Sequence, residues 1–350
     1  MVPPDGLCHY VYYTSVVISK GEVVPIKSGL SWSSFKAAVS KLKKTSGGLG
    51  FDVRYVTAPN FDVPLPEKLS KLNSENVKHY GVLNALAASG DLKSTYNKAK
   101  GILGKLKSLQ SGDNTRKTLL AFGIYNYRGA NAWKILQEVF TSAIDESVAD
   151  TVIAYSSVGW IERPSECFSH APSIFDKSKY NGEAAKEADR APDILTVSRM
   201  MTKDKKYKGR AKMGLSFELG TLVYHLKAEA VNLDMVNAAC HGMYVTSMDI
   251  VPCRLNVHFL RAEVFQGVNL GEVQTQKTTA LLFEDDKTIT EKCNQLARKS
   301  TNLRKGMALL LVNSHLGDFS ADSPCKGQGE KDREDPFWRI KVIKSELKIP

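Results

Sequence analysis

Residues 203–230 read KDKKYKGRAKMGLSFELGTLVYHLKAEA, a dense basic run followed by two stretches with the period of a β-strand. Across residues 213–219 the apolar Met213, Leu215, Phe217 and Leu219 alternate with Gly214, Ser216 and Glu218. Past Gly220, Leu222, Tyr224, Leu226, Ala228 and Ala230 fall on one side, and Val223, His225, Lys227 and Glu229 on the other. That is the pattern of a half-buried antiparallel strand. A third run over residues 255–265 sets Leu255, Val257, Phe259, Glu263 and Phe265 on one face, with Leu260, Ala262 and Val264 on the other. It predicts a central strand covered on both sides.

Outward from this sheet the pattern changes. Toward the N-terminus, YVYYTSVVI over residues 10–18 predicts a strand, and the SKGE turn at 19–22 a hairpin. The LSWSSFKAAVSKLKK run at 30–44 predicts a helix with Phe35, Ala38, Val39 and Leu42 on its apolar face. Residues 51–56 predict a short strand, and the three prolines of 57–66 an extended connection. From 67 to 109 and from 115 to 158 the reading is helical. Within the first block, residues 92–110 form a basic amphipathic helix: Leu92, Tyr96, Ala99, Leu103 and Leu106 share one side and Lys93, Lys98, Lys100, Lys105 and Lys107 the rest. Toward the C-terminus, 288–307 predict a helix and FWRIKVIKSELKIP at 337–350 a strand. The polar stretch 162–190, broken by Pro164, Pro172 and Gly182, marks a domain boundary or long loop.

The expected fold class is therefore α+β, an antiparallel sheet-rich C-terminal half packed with a more helical N-terminal half. The expected units are a mixed, largely helical domain at 1–165, a β-rich domain at 191–316, and a linker with a final strand at 317–350.

Composition narrows the class of partner. The 350 residues carry 43% hydrophobic and 24% charged side chains, as folded chains do. Lys and Arg total 48 against 37 acids, a net charge of +11, which favours polyanions: nucleic acid or an anionic membrane surface. The N-terminal MVPPDGLCHY lacks the pattern of a secretory signal, so the expected setting is a reducing cytosol. The six cysteines at 8, 167, 240, 253, 293 and 325 form no recognisable disulfide framework.

The binding candidates follow from the charge. Lys203, Lys205, Lys206, Lys208, Arg210 and Lys212, with Tyr207 among them, form a cluster suited to phosphate neutralisation, with a ring able to stack on a base. The plain alternative is a solvated loop. The five lysines of the 92–107 helix suit a membrane surface or nucleic acid, against the alternative of an ordinary surface helix. Cys240, His241, Cys253 and His258 match no zinc module, and buried thiols and satisfied histidines account for them. There is no Gly-x-Ser-x-Gly elbow, no phosphate loop and no dinucleotide fingerprint. The adjacent Asp285 and Asp286 point apart, so no acid–base pair, no metal and no cofactor is assigned.

Three stretches resemble the matrix proteins of negative-strand RNA viruses. YVYYTSVVISKGEVVPIKSGLSWSSFKAAVSKL at 10–42 is similar to the rhabdovirus order of strand, strand and Ala/Val-rich helix, and RKTLLAFGIYN at 116–126 to a later apolar segment. MGLSFELGTLVYHLKAEAVNL at 213–233 with MDIVPCRLNVHFLRAEVF at 248–265 is similar in cadence to paired strands of rhabdovirus and paramyxovirus matrix proteins. No PPxY or PTAP-type motif and no lysine-rich N-terminal arm accompany them. The resemblance implies a non-enzymatic, self-associating homo-oligomer in the host cytoplasm, at the inner face of the membrane and in the virion. Its implied partners are anionic membrane and RNA or nucleocapsid. The alternatives are a dedicated RNA-binding protein (nucleocapsid or movement protein) and a basic cytosolic enzyme.

Overall fold

In the computed structural model the described residues are 2–26, 29–62, 65–110, 113–125, 127, 131–158, 167–177, 191–202, 205–228, 237–247, 269–272, 278–284, 286–299, 306–316 and 335–348. Strands and helices alternate through the first two thirds. They are β1 (Tyr10–Ser19), β2 (Glu22–Pro25), α1 (Gly29–Val39), β3 (Ser46–Phe51), α2 (Leu65–Ser74), β4 (Val77–Ala87), α3 (Leu92–Gln110), β5 (Thr118–Ile124), α4 (Ala132–Asp145), β6 (Thr151–Ala154) and α5 (Ile194–Arg199). Then follow β7 (Lys212–Glu218), β8 (Thr221–Leu226), β9 (Cys240–Thr246), β10 (Asn269–Glu272), β11 (Thr279–Phe283), α6 (Asp286–Lys299), β12 (Ala308–Val312) and α7 (Trp338–Glu346).

The main sheet has eight strands in the order β12-β7-β6-β5-β4-β3-β1-β2. Every neighbouring pair is parallel except the β1–β2 hairpin. A second sheet, β10-β11-β8-β9, is antiparallel and is inserted between β7 and β12. The expected α+β arrangement, with its antiparallel C-terminal half, is thus corrected to a mostly parallel α/β sheet carrying a small antiparallel insert.

The reason lies in what alternates. In β7 the outward Met213, Leu215 and Phe217 pack on helices, while Gly214, Ser216 and Glu218 turn to the concave face. Small residues there signal a crowded barrel interior, not solvent. A Cβ on Gly214 would lie 2.3 Å from Ile153 Cδ1 and 2.4 Å from the Ala308 carbonyl oxygen; one on Gly123 would lie 2.8 Å from Tyr155 Cβ. The concave face holds Leu83, Leu119, Ala121, Ile153 and Tyr155, with Tyr12 from one end of the sheet and Leu310 and Val312 from the other packed against them. Strands that far apart share one cluster because the sheet curls, and the Tyr155 hydroxyl donates to the Leu83 carbonyl across β5 at 2.7 Å. Gly214→Ala is expected to cost about 2 kcal/mol by overpacking, read from the denaturant midpoint.

The convex face is covered by helices: Trp32, Phe35 and Val39 of α1, Ile102, Leu103 and Leu106 of α3, Phe140 and Ile144 of α4, Ile289 and Cys293 of α6, Ile340 and Ile343 of α7. Several local expectations change with this frame. The block 67–109 contains β4, so the Tyr80–Leu83 run is strand and not helix. The block 115–158 is strand, helix, strand. The tail read as a strand contains α7, whose Arg339 guanidinium is buried against the Leu219 carbonyl. The 255–265 run lies outside the described residues.

Candidate functional site

In a parallel barrel the residues at the C-terminal strand ends are the ones side-chain chemistry is built from. At or directly after those ends stand Asp52 (β3), Tyr155 (β6), Glu218 (β7) and Asn313 (β12). Two are carboxylates, and their surroundings drive them apart. The Asp52 carboxylate accepts from Arg54 Nε at 2.9 Å, Arg54 Nη2 at 2.7 Å and the Arg54 amide at 2.9 Å. Burial pushes Asp52 up, but the Arg54 contacts outweigh it, and the group stays ionised below its ordinary range. Arg54 also lies over the ring of Tyr55, at 5.4 Å, and Tyr55 is 65% exposed on the rim.

Glu218 is the opposite case. Burial raises it to about 7, against partial relief from the Gly220 amide, donating at 2.7 Å, and Asn313 Nδ2, 3.1 Å from both carboxylate oxygens. A Cβ on Gly220 would stand 2.9 Å from Glu218 Oε1 and 2.2 Å from Val245 Cγ1, so this close approach of backbone to carboxylate requires glycine. Tyr155 is raised by burial and by the adjacent Glu218 charge. Beside them Ser156, Ser157 and Ser216 form a buried hydroxyl knot, with Ser157 Oγ and Ser216 Oγ 2.7 Å apart, and the Glu218 amide donates to Ser173 Oγ at 3.0 Å. Glu218 can give or take a proton near neutrality, whereas Asp52 supplies a fixed negative charge.

The lysines singled out in the sequence lie elsewhere. Lys205, Lys206, Lys208, Arg210 and Lys212 are exposed at the start of β7, the opposite end of that strand from Glu218. Tyr207 among them is only partly exposed: its hydroxyl bonds the Met200 carbonyl and its ring meets Phe140 edge-on at 6.1 Å. Lys203 lies outside the described residues. On α3 each chosen lysine meets an acceptor of its own chain: Lys93 with Glu138, Lys100 with Glu146, Lys105 with Asp62, Lys98 with the Arg54 carbonyl and Lys107 with the Ser147 carbonyl. Cys240 forms a disulfide with Cys167, where the sequence pointed to a buried thiol and to no disulfide framework; Cys253 and His258 lie outside the described residues.

Sequence reasoning missed Asp52, Glu218, Tyr155 and Asn313. Glu218 stood in the very stretch that opened the reading, but its partner Asn313 is 95 residues away. The nearest local signal was the Glu218-Leu219-Gly220 step, a polar inward position followed by a glycine.

No family model and no curated protein matches this sequence. Solved structures do share its fold. An immunomodulatory active chitinase from Trichuris suis is similar with a TM-score of 0.57 at 13% identity, over 99% of this chain and 93% of that one. YKL-39, crystallised with chitooligosaccharides, gives a TM-score of 0.58 at 14% identity, over 98% and 92%. A chitinase-like agglutinin from Robinia pseudoacacia gives a TM-score of 0.51 at 10% identity, over 87% and 88%. The class defined is the barrel fold of chitinases and chitinase-like proteins. This overturns the resemblance to viral matrix proteins, and with it the reading of a viral structural, membrane- or RNA-binding protein. It also removes the ground for excluding an enzyme: active chitinases share this fold, so a missing local motif in the sequence decides nothing.

Proposed function

We propose that the protein recognises a β-linked amino-sugar oligosaccharide at the C-terminal mouth of its barrel. The observation that carries this is Glu218, a buried carboxyl at the C-terminal end of β7 that the Gly220 amide and Asn313 hold in place; burial raises it, so that it can both donate to and accept from sugar hydroxyls. The neighbours of like fold support it, since one was solved with chitooligosaccharides and another is an agglutinin. Exposed Tyr55 adds a ring face at the rim, the usual platform for the apolar side of a pyranose. Hydrolysis conventionally needs two carboxyls flanking the bond, or a substrate whose own group replaces one. Of the two carboxyls at the described strand ends Asp52 is tied to Arg54, which leaves Glu218 as the candidate proton donor.

Titration of the full chain with N-acetylglucosamine tetramer, by calorimetry and with reducing ends counted, tests this. Saturable binding is expected, weakened at least tenfold by Tyr55→Ala and by Asn313→Ala. Reversing the charge of Lys205, Lys206 and Lys208 at the other end of the barrel leaves it unchanged. No binding by the wild type, or equal loss in both sets of variants, overturns the reading. So does reducing-end release that survives Glu218→Gln.

A further inference from the structure

Beyond the mouth itself, the rim between β5 and α5 holds polar atoms that the protein leaves unanswered. Tyr127 follows β5, Trp133 opens α4 and Asp193 caps α5, so all three sit at the C-terminal side of the barrel. The Tyr127 and Trp133 rings stack at 4.4 Å with an interplanar angle of 28°. Lys177 Nζ lies 4.8 Å from the Trp133 centroid. Tyr127 is 3% exposed and Asp193 1%.

Asp193 uses Oδ1 to cap its helix, accepting from the Thr196 amide at 2.7 Å. Its second oxygen, Oδ2, is buried and has no partner among the described residues, and the same holds for the Tyr127 hydroxyl and for Trp133 Nε1. The Ile124 main chain is close to Tyr127 but does not complete a hydrogen bond with it. The Asp193 charge acts on the Tyr127 phenol, which burial has already raised, so the two groups share one environment. Buried polar groups in folded chains are nearly always satisfied, and an orphan on each of two stacked rings and on the carboxylate that acts on one of them calls for a missing partner.

We propose that Tyr127, Trp133 and Asp193 form a subsite for a hydroxyl-bearing group of a saccharide, one that accepts from the Tyr127 hydroxyl and the indole N–H and donates to Asp193 Oδ2. A hydroxyl is the group that does both at once, which a cation or an anion does not. The Trp133 ring already has Tyr127 stacked on it and Lys177 over it, so the subsite reads hydrogen bonds and not ring stacking. It rests on the oligosaccharide reading above and extends the binding surface from the mouth toward α4.

Tyr127→Phe removes only the hydroxyl and keeps the stack; Asp193→Asn keeps a side-chain oxygen for the cap. Titrated with N-acetylglucosamine tetramer, both variants are expected to bind at least tenfold more weakly than wild type. The ligand-free Tyr127→Phe protein should melt at the same or a higher temperature, because a buried unpaired hydroxyl has been removed. Wild-type affinity in both variants, with Tyr55→Ala still impaired, means the orphans serve only a buried water, and the subsite is overturned while the mouth reading stands. A wild type that binds no tetramer overturns both.

Discussion

Between pH 4.5 and 7 the Glu218→Gln protein is expected to gain about 3 kcal/mol of unfolding stability relative to wild type. Glu218 goes from an ordinary value of 4.5 in the unfolded chain to about 7 in the fold, with burial as the main cause. The folded chain therefore binds more protons than the unfolded one in that window, and stability falls as pH rises. The effect is absent below 4.5, where both states are protonated, and complete above 7. His79 works the other way: burial lowers it to about 4, so its share of stability is lost as pH falls from 6.5. In wild type the two slopes oppose each other and flatten the profile. Removing Glu218 should expose the His79 slope, with stability now rising over the same range. Asp52, Asp5 and Asp113, all lowered, add losses only at more acid pH. Urea unfolding of both proteins at four pH values checks this; parallel profiles would mean that Glu218 ionises freely in the fold.

How much of this was legible follows from what local pattern encodes. The β1–β2 hairpin, α1 and α3 were readable because turn chemistry and a 3.6-residue apolar period are local. The apolar face read on α3 through Leu92, Tyr96, Ala99, Leu103 and Leu106 is the buried one. Strand direction is not local. β7 alternates large with small, and that pattern serves equally for a half-exposed antiparallel strand and for a parallel strand whose small side enters a barrel. β5, TLLAFGI, is buried at every position, and such a run has no period by which to tell strand from helix. The site was less legible still. Net charge of +11 drew attention to lysines, yet on α3 those charges meet carboxylates and carbonyls of the same chain, and on β7 they crowd the end away from Glu218. A carboxylate becomes special through burial and through partners supplied by distant strands, and neither is written beside it.

Removing the Cys167–Cys240 bond is expected to lower stability by up to about 4 kcal/mol. The two residues are 73 apart in sequence and their Cα atoms 5.0 Å apart. Closing so long a loop in the unfolded chain removes much of its entropy, which is the source of the stabilisation in the chain-entropy account. Hydrogen bonds hold the same segments together beside it. The Cys240 amide donates to the Cys167 carbonyl at 3.0 Å, Ser169 exchanges backbone bonds with Asn237 and Ala238, and His170 Nδ1 pairs with Asn237 Oδ1 at 2.9 Å. The double variant Cys167→Ala/Cys240→Ala should therefore fold, with a lower denaturant midpoint and a slope equal to or steeper than wild type's, since the unfolded chain is no longer cross-linked. The bond also bears on the mouth. It pins the 167–177 loop to β9, and that loop supplies Ser173 Oγ to the Glu218 amide and packs Ile174 with Leu222 and Tyr224 of β8. Loosening it admits water toward Glu218, and water restores the charged form. The stability difference between the double variant with and without Glu218→Gln should then shrink across pH 4.5 to 7. A midpoint equal to wild type would show that the loop is held by its hydrogen bonds alone. A lower midpoint with the full Glu218 slope retained would show that the bond stabilises the fold without guarding the mouth.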